Sequence, residues 1–83
     1  MKVDFHPDVF KQLQQLPRSV FAAALREIIG LVGQPRPAGA VKLAGGGSDW
    51  RVRIGDYRTV YEIDDKAETV TVYRVGHRSD VYR

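Results

Sequence analysis

Eighty-three residues, 43% apolar and 28% charged, fit a single globular domain over 1–83 and are too apolar for a disordered chain. Without cysteine, a disulfide scaffold and a thiolate metal site are excluded; with no apolar run near the ~18 residues of a membrane span and no leader segment, a cytoplasmic protein is expected. Thirteen Lys and Arg against ten Asp and Glu give +3, mild for a nucleic-acid binder, although six of the nine arginines fall from Arg51 onward.

In chain order, Lys2 to His6 alternates with period two, which predicts a half-buried strand. Pro7 suits the first position of a helix and Asp8 its positive end. Val9, Phe10, Leu13 and Leu16 then form the apolar face of a short helix that Pro17 terminates. From Arg18 to about Leu31, Val20, Phe21, Ala24, Leu25, Ile28 and Ile29 make a second helical stripe. Gly30, Gly33, Pro35, Pro37 and Gly39 break the chain, and Gly45 to Gly47 predict a turn. The triple glycine lacks the Gly-Lys-Ser/Thr ending of a phosphate-binding loop.

From Trp50 the period changes to two. Trp50, Val52 and Ile54 face one way, Arg51 and Arg53 the other. Gly55-Asp56 is a two-residue hairpin loop. In the following strand Tyr57, Thr59, Tyr61 and Ile63 share one face, while Arg58, Val60, Glu62 and Asp64 share the opposite one. Asp65 to Ala67 turns the chain into a last strand, Thr69 to Val75, whose two faces are ambiguous; Gly76 to Arg83 is a tail. Helices followed by strands predict an α+β fold: a β-α-α-β-β-β domain with a helical hairpin packed on one face of a small, mainly antiparallel sheet. The other face is expected to be wet and to carry Arg51, Arg53 and Arg58.

Arginines on adjacent strands lie within reach of one phosphate, since strands are about 4.8 Å apart. A histidine such as His77 can give or take a proton in acid–base work, and Tyr82 can stack on a base. Together with Arg78, this inventory suits RNA cleavage by a neighbouring 2′-hydroxyl, with charge stabilisation by arginine and proton transfer by an acid–base group. Neither a metal nor a cofactor is expected: only two histidines are present, and none sits at ligand spacing with carboxylates. The bland alternative is a solvated sheet face whose arginines make surface ion pairs stabilising by only about 0–1 kcal/mol.

Over its whole length the chain resembles the RelE/ParE superfamily of type II toxins, and within it the RelE-like mRNA interferases. The resemblance is carried by the two-helix N-terminal half, Lys42-Leu43, Trp50-Arg51-Val52-Arg53 and Tyr57-Arg58-Thr59-Val60-Tyr61. It is sharpest in Arg74-Val75-Gly76-His77-Arg78 followed by Asp80-Val81-Tyr82-Arg83. It implies a toxin that cleaves mRNA in the ribosomal A site and stops translation. It also implies a neighbouring antitoxin, expected to be acidic and to wrap the toxin, with operator DNA bound only through their complex.

By position, the resemblance gives Arg58 the role of stabilising the scissile phosphate, Arg78 that of stabilising the transition state or protonating the leaving oxygen, His77 acid–base work, and Tyr82 contact with the base. Arg51, Arg53 and Lys42 become substrate contacts. The best-studied relatives have lysines where Arg51 and Arg53 stand; an arginine does not give up its proton, so the general base is left open. Two alternatives share the fold: a ParE-like inhibitor of DNA gyrase, and a non-catalytic or decayed RNA- or partner-binding module.

Overall fold

The computed structural model describes residues 1–43 and 47–81. Its elements are β1 (Lys2–Phe5), α1 (Pro7–Gln14), α2 (Arg18–Gly30), β2 (Val41–Lys42), β3 (Asp49–Ile54), β4 (Tyr57–Asp64), β5 (Thr69–His77) and α3 (Arg78–Val81). The strands form one sheet in the order β1-β5-β4-β3-β2. All neighbours are antiparallel except β1, which pairs in parallel with residues 69–72 of β5.

The α+β layout is as the sequence indicates, with three extensions. A two-residue strand, β2, edges the sheet beside β3, too short to give a periodic signal. The last strand runs on to His77, and α3 follows where an irregular tail is expected.

Local chemistry explains where the helices begin. The His6 imidazole caps α1 by accepting the Asp8 N–H at Nδ1, 3.2 Å away, and Pro7 fills a position whose N–H would have no helical partner. Pro17 stands at the head of α2 without a side-chain cap, its ring fixing the turn between the helices.

Val9, Leu13, Ala24, Ile28 and Leu31 from the helical half meet Val52, Tyr61, Ile63, Val70, Val72 and Val75 from the sheet to form the core. The apolar stripes are narrower than the sequence suggests: Phe10 is 54% exposed and Ile29 64% exposed. Adjacent helical residues lie about 100° apart, so a helix resting on a sheet cannot bury both Val9 and Phe10, or both Ile28 and Ile29. The Phe10 ring lies instead against Phe5, centroids 5.4 Å apart.

The connection after α2 is tied to the sheet by specific bonds. Tyr61 donates its hydroxyl hydrogen to the Pro35 carbonyl at 2.7 Å. Arg36 stacks over Trp50, 5.3 Å from the ring centroid, and pairs with Asp65 at 3.0 Å. Burial is the main cause that pushes the Tyr61 phenol up to about 12, with Glu27 adding to it and Arg36 opposing.

A β-bulge settles the ambiguous faces of β5. Tyr61 pairs with Val72 and Val60 with Arg74, so Tyr73 is the extra residue. A classic bulge puts both of its residues on one side of the sheet. Val70, Val72 and Val75 therefore all enter the core, and Tyr73 and Arg74 face the open side.

Candidate functional site

The register of β3, β4 and β5 builds the open side in rows. Arg53, Arg58 and Gly76 are cross-strand partners in one row, and Arg51, Val60 and Arg74 in the next. Asp49, Glu62 and Thr71 make a third. Rows on one face are spaced by about 6.8 Å along a strand and strands by about 4.8 Å, so Arg51, Arg53 and Arg58 belong to one cluster.

Arg58 is half-buried, and its Nη1 donates to the carbonyls of Gly55 (3.3 Å) and Tyr57 (3.4 Å) at the base of the β3–β4 hairpin. Those bonds hold the guanidinium while leaving its other nitrogens available. Among the described residues, the ion pairs are Lys2–Asp4, His6–Asp8 and Arg36–Asp65; none involves Arg51, Arg53 or Arg58. Three positive charges on one face without carboxylate partners suit a polyanion.

The remaining candidates are placed differently. His77 pairs with Tyr57 and so sits on the helix-covered side, its ring edge-on to the tyrosine at 5.4 Å. Its Nδ1 accepts the Ser79 N–H at 3.2 Å and lies 2.9 Å from the Ser79 hydroxyl. The imidazole borders a cavity of about 380 Å³ lined also by Gln12 of α1, by Gln15 and Leu16 just beyond that helix, and by Arg74. At that edge of β5 the Gln12 side chain accepts the Val75 N–H at 2.8 Å, taking the place of a neighbouring strand. Lys42 pairs with Trp50, which puts it too on the side away from the arginines. Arg78 is exposed at the start of α3, one step beyond the β4–β5 ladder, with its N–H on the Asp56 carbonyl at 2.8 Å. Tyr82 lies outside the described residues.

Sequence reasoning missed Tyr73 and Asp49. The signal was present in Val70, Val72 and Val75, whose spacing changes from two to three across Tyr73. The Tyr73 phenol is pushed up to about 12, first by burial, then by the charge of Asp49 and a hydrogen bond between the two side chains. Among the described residues no group of three or more His, Asp or Glu is gathered to hold a metal ion, and no helix is long and apolar enough to cross a membrane.

The family of ParE toxins of type II toxin-antitoxin systems, parDE, matches residues 3–82 of this sequence. The chain belongs to the RelE/ParE toxin superfamily. Toxin RelG of Mycobacterium tuberculosis is 36% identical over 85 aligned residues, covering 98% of this chain and 94% of RelG. The RelE-RelB complex of the archaeon Pyrococcus horikoshii contains a chain with a TM-score of 0.82 and 29% identity, covering 96% of this chain and 97% of that one. A chain of the toxin-antitoxin complex RelBE2 from Mycobacterium tuberculosis is also 29% identical, with a TM-score of 0.78 and coverage of 93% and 96%. This RelE/ParE protein is thus similar along nearly its whole length to toxins that were crystallised with antitoxins.

Proposed function

We propose that this toxin is a metal-independent endoribonuclease that cleaves mRNA, in the ribosomal A site, through attack of the 2′-hydroxyl on the adjacent phosphate. The observation that carries the reading is the cluster of Arg51, Arg53 and Arg58, which shares one open face and has no carboxylate partners among the described residues. A pentavalent phosphorane gains negative charge as it forms, and guanidinium donors fixed beforehand stabilise it without reorganising. Arg58 and Arg78 are assigned to that charge, Arg51 and Arg53 to the RNA backbone, and Tyr82 to a base. His77 and Lys42, on the helix-covered side, receive no part in the chemistry. An acidic antitoxin that covers the arginine face by charge complementarity is the proposed partner.

The match to ParE toxins supports a second reading, inhibition of DNA gyrase. Brief induction of the toxin, followed by mapping of mRNA 5′ ends, separates the two. New ends inside codons with arrested protein synthesis are expected; intact mRNA accompanied by DNA damage would favour the gyrase reading.

A further inference from the structure

Attack by a 2′-hydroxyl needs a group to take its proton. Arginine does not serve, because it stays protonated throughout the range in which proteins are folded. His77 lies at the β5 edge in the cavity that Arg74 also lines, its Nδ1 engaged by Ser79 and its row distinct from that of Arg51. Among the described strand residues, the carboxylates that share the arginine side are Asp4, Asp49, Glu62 and Asp64. Asp4 is paired with Lys2 on the outermost strand, and Asp64 accepts the Ala67 N–H at 3.0 Å in the β4–β5 turn. That leaves Asp49 and its cross-strand partner Glu62.

The two differ in how they are held. Glu62 is exposed, whereas Asp49 is half-buried and bonded to the Tyr73 phenol, which reaches it across β4. Asp49 also precedes Arg51 by two residues on β3, so their Cα atoms are about 6.8 Å apart on one face. A carboxylate at that spacing reaches the ribose of a nucleotide whose phosphate lies on Arg51. We infer that Asp49 is the general base of the reaction proposed above, on which this inference rests, and that Tyr73 positions it. Asp49 takes the 2′-hydroxyl proton as the 2′-oxygen bonds to phosphorus. The bond from phosphorus to the 5′-oxygen breaks, leaving a 2′,3′-cyclic phosphate, and the departing oxygen takes a proton from water.

The test is single-turnover cleavage of a ribosome-bound mRNA by purified toxin across a pH series. The groups facing Asp49 are Arg51 along β3, Glu62 on β4, and Tyr73 and Arg74 on β5. Asp49→Asn should slow cleavage by about 10²-fold or more and abolish the acid-side fall in rate. It should still bind an uncleavable mRNA carrying a 2′-deoxy nucleotide at the scissile site with parental affinity. Glu62→Gln should remain within a few-fold of the parent. Tyr73→Phe should lower kcat at unchanged KM; a merely structural tyrosine would not split the two. Full rate and an unchanged pH profile in folded Asp49→Asn would overturn the assignment while leaving the nuclease reading in place. A parent toxin that leaves the mRNA intact would overturn both.

Discussion

At Arg58 two demands meet in one side chain: it braces the β3–β4 hairpin through the Gly55 and Tyr57 carbonyls, and under the proposed function it is offered to a phosphate. Arg58→Ala should relieve toxicity, with cleavage slowed on the order of 10²-fold. The hairpin bonds are long, 3.3 and 3.4 Å, so the melting temperature should change little, and thermal denaturation of the purified variant checks this. Tyr61 makes the opposite case, a residue whose hydroxyl serves stability alone. Tyr61→Phe removes the bond to Pro35 and should cost about 1 kcal/mol in urea unfolding at neutral pH. Folded Tyr61 keeps its proton to about pH 12, against an ordinary 10. Between those values the unfolded chain has released a proton that the folded one retains, so stability falls as pH rises. Unfolding at pH 9, 10 and 11 should show a shallower decline in Tyr61→Phe than in the parent. The arginine face was legible because Trp50, Val52 and Ile54 alternate without interruption against Arg51 and Arg53. The side occupied by His77 was not, because the bulge at Tyr73 inverts every later residue of β5, and bulges leave only a change in spacing.

Among the elements, the β3–β4 hairpin is the most plainly written. Gly55 has φ of +58°, as the first loop position of a type II′ turn requires. Gly55→Ala should cost about 1 kcal/mol, since a Cβ is disfavoured there whatever the space around it. Where β5 outruns β1, a helix substitutes for a strand, and the Gln12 amide answers the Val75 N–H. Gln12→Leu keeps the volume and deletes the acceptor, so it should destabilise by about 1–3 kcal/mol in the same urea assay. Nothing in the 3.6-residue pattern of α1 reveals that Gln12 is needed, because its partner is set by where two strands end. The edge strand β2 was unreadable for a related reason: two residues carry no period, and β3 alone gives them a place.

Over the whole molecule, the sheet separates an apolar, helix-covered side from a charged one, and the net charge of +3 understates that separation. Binding to single-stranded RNA should weaken steeply with salt. Replacing one arginine of the proposed RNA path, as in Arg53→Ala, should reduce the slope of log affinity against log salt by about 0.7. A titration of uncleavable RNA at several ionic strengths measures it; an unchanged slope would remove Arg53 from the substrate path. The layered α+β architecture could be read from the order of helical and strand periods. The parallel seat of β1 could not, because nothing local to residues 2–5 names a partner near residue 70.

That seat has a consequence for synthesis. Strand β1 is translated before every other described strand, and its one neighbour in the sheet, β5, is the last of them. Until β5 has emerged, residues 2–5 lack the strand they pair with, and the open face lacks the row partners Gly76 and Arg74. Under the proposed function, a toxin still lacking β5 is therefore inert toward the machine that is making it.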